Sequence, residues 1–175
     1  AKSITALLLI LKFPGKLPPI QPGRWRLTNP FSDWFRHYDR RCRRPKCGAE
    51  IVVVHGETVL EPVAPGTNLA ACGCRDVDVL AHPGFLTEEE AVLASRNDIA
   101  VELTARCGHN RTNGHIAGVA LQAGCMIVID SDAHSPGDLM DARARKVVGM
   151  GAGLSSAQCE RILSFNIEEF LFHKK

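Results

Sequence analysis

The chain has 175 residues, of which 45% are hydrophobic and 23% charged, and its formal net charge is +2. These proportions are ordinary for a soluble globular protein, and the length predicts one domain with a sizeable core. The length excludes a complete eight-fold β/α barrel, which typically needs about 250 residues.

The charge is distributed unevenly along the chain. Residues 1–48 carry eleven Lys and Arg against two acids, a balance of +9, whereas residues 49–175 have a balance of −7. Such asymmetry usually marks a tail joined to a domain. The sequence therefore predicts a basic segment rich in Pro, Arg and aromatic residues over 1–48 and a folded domain over 49–175.

Near the amino terminus, residues 4–11 form an apolar run, ITALLLIL. The run is far shorter than the ~20 apolar residues that span a bilayer, and no small-x-small cleavage site follows it. It predicts a buried strand or a short helix, and no membrane partner. The seven cysteines include no Cys-x-x-Cys pair, which favours reduced thiols and a cytoplasmic location.

From residue 50 onward, apolar β-branched runs alternate with helical patterns. The predicted strands cover residues 51–54, 77–81, 99–103, 126–129 and 146–150. The predicted helices are 68–72 with Thr67 as cap, 87–96 and 155–164 opened by capping boxes, 114–123 between Asn113 and Gly124, and a short terminal one at 166–172. This order predicts an α/β fold with a parallel sheet.

Chemically active side chains follow several of the predicted strands. His55 and His82 come directly after the first two strands, and Asp132 and His134 follow the fourth. Right-handed crossovers bring the carboxyl ends of parallel strands to one face, so these side chains should converge. Imidazole and carboxylate are ligands for zinc, manganese or iron, so the pattern predicts a metal site.

Three motifs resemble the carboxy-terminal motifs of the PHP (polymerase and histidinol phosphatase) family. They are contained in HGETVLEPVAPGTN (55–68), AHPG (81–84) and DSDAHSPGDLM (130–140), and with ELTARCGHNRTNGH (102–115) they are similar to the stand-alone histidinol-phosphatase-like branch. The resemblance covers about residues 46–175. It implies an incomplete distorted (β/α)7 TIM-like barrel of PHP type, with an irregular basic segment before it.

The resemblance also implies an activity and its site. It implies hydrolysis of a small phosphomonoester, such as histidinol phosphate, by a metal-bound hydroxide, with up to three divalent ions (Zn, Mn or Fe) in the complete fold. His55, His82, Asp132 and His134 match the family's metal ligands. The implied protein is a metal-dependent phosphatase with a small phosphorylated substrate.

Other polar residues near the strand ends are candidates for supporting roles. Glu57 could orient a ligand histidine or hold a proton, or it could be a solvated loop acid. An arginine in the next polar loop could contact a phosphate with its guanidinium fork. Arg106, like Glu57, is also a candidate for a supporting residue beside the metal-bound hydroxide. The candidate substrate-binding residues are Arg106, His109, Asn110 and Arg111. His115 and His173 are predicted to be bystanders.

The first segment departs from the family pattern. Family members open with a His-x-His strand and later add a bridging glutamate, but the only histidine before His55 is His37, and no glutamate precedes Glu50. We therefore expect little or no trinuclear activity from this chain. Residues 1–48 can be interpreted as a poorly ordered tail, as an out-of-frame or wrongly started translation, or as an arm that binds nucleic acid through residues 24–46. With that arm, the alternative function is a non-catalytic barrel remnant that binds nucleic acid.

Overall fold

The computed structural model describes residues 8–11 and 51–164. The strands are β1 (Leu8–Leu11), β2 (Ile51–His55), β3 (Val79–Ala81), β4 (Ala100–Thr104) and β5 (Ile127–Asp130). The α-helices are α1 (Thr67–Cys72), α2 (Glu88–Arg96), α3 (Asn113–Ala123), α4 (Ala142–Gly151) and α5 (Ser156–Leu163). Two 3-10 turns, His109–Thr112 and Pro136–Asp138, lie in the loops after β4 and β5.

The five strands form one parallel sheet in the order β1-β2-β3-β4-β5. The register places His55 beside Ala81 and Thr104 beside Asp130, so the carboxyl ends of neighbouring strands are level. Strands β3 and β4 are buried along their whole length. The predicted α/β class and the parallel arrangement are confirmed.

The predicted distorted (β/α)7 barrel, even as an incomplete one, is wrong. In the described residues the sheet is open: β1 pairs only with β2, and β5 pairs only with β4. A closed barrel needs more strands, tilted and staggered until the first meets the last. Open parallel sheets and barrels both place polar residues after the carboxyl ends of their strands, so the motifs could not separate the two architectures.

The segment predicted as a fifth strand at 146–150 is instead the second half of helix α4. Asp141 caps this helix by accepting a hydrogen bond from the amide of Ala144 at 2.7 Å. Gly149 packs its backbone against Cys159 and Ile129, where a β-carbon would come within 2.8 Å of both side chains. The Val147–Val148 pair indicated a strand, but the cap and this close packing make the segment helical.

Of the four predicted N-caps two are confirmed and two are wrong, and the predicted C-cap Gly124 is confirmed. Thr87 and Ser155 form complete capping boxes with Glu90 and Gln158. Helix α1 has Gly66 at its N-cap, and the Thr67 hydroxyl donates to the carbonyl of Ala64. Asn113 is the first helical residue of α3, and its side chain bonds both the N–H and the C=O of Thr104.

One strand lies inside the basic segment. Leu8–Leu11, part of the apolar run predicted as a strand or helix, pairs in parallel with residues 51–54. The remaining residues of 1–48 and the predicted terminal helix at 166–172 lie outside the described residues, so their interpretations stay predictions. In the part that the structure describes, no helix has the length and apolarity to cross a membrane.

Candidate functional site

Three histidines meet above the carboxyl ends of β2, β3 and β4. His55 ends β2, His82 follows β3 directly, and His109 opens the 3-10 turn after β4. The ring centroids are 4.3 Å apart for His55 and His82, 4.5 Å for His82 and His109, and 6.0 Å for His55 and His109. The His82 and His109 rings stack, with 26° between their planes. We call these three residues the histidine cluster.

Hydrogen bonds to Nδ1 fix two of the three rings. His55 Nδ1 bonds the carbonyl oxygen of Gly56 at 3.1 Å, and His109 Nδ1 bonds the hydroxyl of Thr58 at 2.5 Å. With Nδ1 used in this way, Nε2 carries the remaining lone pair or proton of each ring. His82 differs, because its buried Nδ1 has no hydrogen-bond partner in the described structure.

Two carboxylates face the Nε2 atoms of the cluster. Asp132 Oδ2 lies 3.5 Å from His82 Nε2. The two carboxylate oxygens of Glu61 lie 3.7 Å from His55 Nε2 and 3.8 Å from His109 Nε2. These distances exceed the 2.7–3.2 Å range of a direct N–H···O hydrogen bond. The site therefore holds imidazoles and carboxylates as near neighbours without short hydrogen bonds between them.

Burial lowers the pKa of two of the three rings of the cluster. It lowers the pKa of His82 to about 4, and the nearby rings of His55 and His109 act in the same direction, while Asp132 opposes them. Burial also lowers the pKa of His109, against the opposing effect of Asp132 and Glu61. Neutral imidazole is the form that donates a lone pair, so near neutral pH these two rings are in the form that binds metals or accepts protons.

A buried carboxyl group is hydrogen-bonded to the backbone of His82. Glu102 on β4 accepts a hydrogen bond from the backbone N–H of His82 at 2.8 Å, while its other oxygen has no hydrogen-bond partner among the described residues. Burial and the adjacent carboxyl of Asp130 raise the pKa of Glu102 well above its usual range. Glu102 thus ties the end of β3 to β4 at the base of the cluster.

The backbone is strained at two site residues. In the described chain, three non-glycine residues have positive φ, and two of them are His82 at 31° and Asp132 at 44°. Residues in this region cost of order 1–3 kcal/mol each and are concentrated at functional sites. These two residues lie in adjacent loops, and the Asp132 carboxylate is 3.5 Å from Nε2 of the His82 ring.

The nitrogen and oxygen atoms of the site are of the types that bind divalent metals, but their positions do not form a metal site. Within residues 51–164, no group of three or more His, Cys, Asp or Glu side chains is arranged to hold a metal ion. However, imidazole nitrogens and carboxylate oxygens are the donors that zinc, manganese and iron bind. His82 Nδ1, which is buried and has no hydrogen-bond partner among the described residues, is a further ring nitrogen that no protein group uses. The residues fit such an ion by their chemistry.

The structure brings three of the four predicted ligands together and leaves the fourth at the surface. His55, His82 and Asp132 belong to the site. The side chain of His134 is 61% exposed, with Nδ1 2.7 Å from the carbonyl oxygen of Asp132 and 3.9 Å from its carboxylate. His134 therefore lies at the outer edge of the site rather than in the cluster.

The predicted supporting residues have diverse surroundings. Glu57 accepts hydrogen bonds from the amides of Gly66 and Asn68, so its carboxylate stabilises the start of α1. Arg106 lies 3.6 Å from Asp138, which links the loop after β4 to the loop after β5. Asn110 and Arg111 are exposed on the 3-10 turn.

Sequence reasoning missed Glu61 and Glu102 and underrated His109. The sequence places His109 among polar loop residues, yet its side chain is 6% exposed and stacks on His82. Glu61 lies in a loop whose path no periodicity indicates. Glu102 had a detectable signal, since it is a single acid inside the apolar strand residues 99–103, where a charge needs a partner.

Comparisons with known proteins show a close relative and a shared fold. No family model matches the chain. The chain is 51% identical over 124 residues to the uncharacterized protein MJ1295 of Methanocaldococcus jannaschii, and the match covers 71% of this chain. The chain thus spans only a little over half of that relative, 57% of its length.

Among solved structures, the fold is similar to a chain in the cryo-EM structure of archaeal ribonuclease P with mature tRNA. The TM-score is 0.58 at 17% identity, and the match covers 82% of this chain and 63% of that chain. At this identity the likeness concerns the fold alone.

Proposed function

We propose that this chain carries a divalent-metal-dependent phosphoesterase site at the histidine cluster, acting on a small phosphomonoester. The observation that carries the proposal is the convergence of His55, His82 and His109 with Asp132 at the carboxyl ends of parallel strands. Active sites of folds with parallel strands and connecting helices commonly lie at the carboxyl ends of the strands.

Two further features support a functional role over a purely structural one. A structural histidine normally has its ring nitrogens satisfied, whereas His82 is buried with Nδ1 unpartnered among the residues described. Stability alone does not explain positive φ at His82 and Asp132, because strain of this kind costs free energy. Both features are expected of residues held in place for a ligand.

In this proposal the imidazoles of the histidine cluster and the carboxylate of Asp132 hold the metal. When bound, a divalent ion neutralises phosphate oxygens and lowers the pKa of water close to neutrality. The chain's own residues supply position: Gly56 fixes the His55 ring through its carbonyl oxygen, and Glu102 fixes the backbone of His82. Arg106, held beside Asp138 at the edge of the site, contributes a positive charge for the phosphate.

The test is hydrolysis of p-nitrophenyl phosphate by the full chain with Mn²⁺ or Zn²⁺. The assay uses protein in excess over substrate, because the first set of family ligands is missing from the sequence and turnover should be slow. We expect metal-dependent release of nitrophenol that chelators stop. Asp132→Asn should lower the rate about 100-fold or more, since it removes a metal ligand and its charge.

Asp98→Asn is the matched control. Asp98 is the third non-glycine residue with positive φ, at 53°, and it is exposed beyond the end of α2. Its substitution makes the same chemical change on a similar backbone and should leave the rate unchanged. A wild-type chain that releases no product with either metal, or an Asp132→Asn variant as active as wild type, would refute the proposal.

A second candidate function is nucleic-acid binding by the basic segment. Residues 1–48 have a balance of +9, with four arginines within Arg40–Arg44. A fold neighbour also comes from a ribonuclease P structure that contains mature tRNA. In this case the parallel sheet is a non-catalytic scaffold. Binding to phosphates would weaken steeply with salt, which separates it from the phosphoesterase proposal.

A further inference from the structure

The carboxylate of Glu61 lies between two rings of the histidine cluster. One of its oxygens is 3.7 Å from His55 Nε2, and the other is 3.8 Å from His109 Nε2. Neither Glu61 nor His109 is among the metal ligands that the sequence motifs predict. Two imidazoles and one carboxylate are a common donor set for a divalent ion.

The spacing of these atoms is informative. Both distances are too long for a direct hydrogen bond. With metal–donor bonds of about 2.1 Å, a tetrahedral ion places two of its donors about 3.4 Å apart. The observed separations exceed that value by only a few tenths of an ångström. Glu61 therefore lies at nearly the distance expected of atoms that share an ion, rather than of atoms that bond each other.

Hydrogen bonds already orient the rings of His55 and His109 for metal binding. His55 Nδ1 and His109 Nδ1 are engaged by Gly56 and Thr58, which directs both Nε2 atoms toward Glu61. Metal-binding histidines usually use their second nitrogen in this way, and the hydrogen bond fixes ring orientation and tautomer. The side chains of His55 and His109 are 11% and 6% exposed, whereas the side chain of Glu61 is 38% exposed.

We propose that His55, His109 and Glu61 form a divalent-metal site of two histidines and one carboxylate, beside the His82–Asp132 pair. This inference rests on the metal-binding part of the proposed function, and it assigns His109 and Glu61 as ligands. No three-donor group is preformed among the described residues, so binding must draw Glu61 toward the two rings.

The experiment is titration of the full chain with Co²⁺ alone, followed by the visible absorption of the bound ion. Bands from cobalt coordinated by imidazole and carboxylate report binding without any catalytic turnover. We expect Glu61→Gln and His109→Gln each to weaken the affinity at least about 10-fold and to change the spectrum, because each removes a ligand.

Two control variants separate ligand loss from general damage. Glu89→Gln changes an exposed acid in the first turn of α2, and His115→Gln changes an exposed histidine that bonds the Leu86 carbonyl. Both should titrate like wild type. Because His109 is buried, circular dichroism monitors its folding; Glu61→Gln is isosteric at a partly exposed position and keeps the test decisive if His109→Gln unfolds.

The outcomes distinguish the two proposals. Wild-type affinity and spectrum in Glu61→Gln would overturn this inference even if the chain hydrolyses phosphomonoesters. Weaker affinity in Glu61→Gln but not in Glu89→Gln supports it, even if no hydrolysis is ever detected. A wild-type chain that binds no Co²⁺ would overturn it as well.

Discussion

Gly84 lies where the loop after β3 touches the loop after β2, and this close approach leaves no room for a side chain. A β-carbon on Gly84 would come within 2.1 Å of the carbonyl oxygen of Glu57, and the residue has φ of +66°. We expect Gly84→Ala to lower the free energy of unfolding by about 1–3 kcal/mol, because the backbone must shift to relieve both the clash and the conformation. Urea denaturation measures this change.

Gly118 is the matched control. It lies within helix α3, and a β-carbon there would meet nothing within 4 Å. Gly118→Ala should raise the free energy of unfolding by up to about 1 kcal/mol, because alanine favours the helix and restricts the unfolded chain. If the Gly84→Ala and Gly118→Ala variants were equally stable, the result would contradict the close approach of the loops after β2 and β3.

Cysteine reactivity provides a further prediction for individual residues. Burial, with the negative charge of Glu90 as the next cause, raises the pKa of Cys72 to about 12, whereas Cys107 is exposed beside the site. Alkylation depends on the thiolate. Iodoacetamide at pH 8 should therefore modify Cys107 and leave Cys72 unmodified until the protein unfolds, which peptide mass spectrometry can measure. Rapid native labelling of Cys72 would contradict the packing of α1.

The residues of the site show what a sequence can reveal. His55 and His82 can be predicted because parallel strands bring residues at their carboxyl ends together, whatever the loops do. Asp132 lies two residues beyond β5 and can be predicted in the same way. Glu61 and His109 reach the cluster through loops, and the path of a loop depends on tertiary interactions such as the hydrogen bond between Thr58 and His109. His134 shows the converse, since it shares a motif with Asp132 yet lies outside the cluster.

Among the helices, α2 offers the clearest test of N-terminal capping. Thr87 accepts a hydrogen bond from the Glu90 amide at 3.2 Å, and the Glu90 carboxylate accepts one from the Thr87 amide at 2.9 Å. Thr87→Ala should lower the free energy of unfolding by about 1 kcal/mol, because one amide of the first turn loses its partner. Thr87→Ser keeps the hydroxyl and should remain within a few tenths of a kcal/mol of wild type. Equal destabilisation of the two variants in thermal denaturation would show that the hydroxyl is not the cause.

The elements also show where local patterns are ambiguous. A capping box is a local interaction, so both boxes could be predicted from four residues each. The window 146–150 contains too few residues to distinguish a strand from one turn of a helix, and the deciding interactions are the cap at Asp141 and the packing of Gly149. Whether the sheet is open or closed depends on contacts between residues even further apart in the sequence. It depends on whether β1 and β5 meet, which no single motif specifies.

For the molecule as a whole, the basic segment and the folded sheet overlap in sequence. Strand β1 belongs to the sheet although it lies in the basic segment. Deleting residues 1–48 would therefore remove a strand along with the positive charge, and any decrease in nucleic-acid binding would be ambiguous. Neutralising selected arginines keeps Leu8–Leu11 in place, so it tests the charge alone.

The variant for this test changes the four arginines of 40–44 to glutamine, and the probe is a mixed-sequence single-stranded RNA. Each phosphate that the protein no longer neutralises reduces the slope of log K against log salt by about 0.7 for single strands, so four such phosphates should reduce it by about 3. Affinity at low salt should fall in parallel. The matched control neutralises four exposed arginines of the folded domain, namely Arg75, Arg96, Arg143 and Arg161. If the two variants reduce the slope equally, binding reflects general charge; if neither does, the basic segment has no part in it and the second candidate function fails.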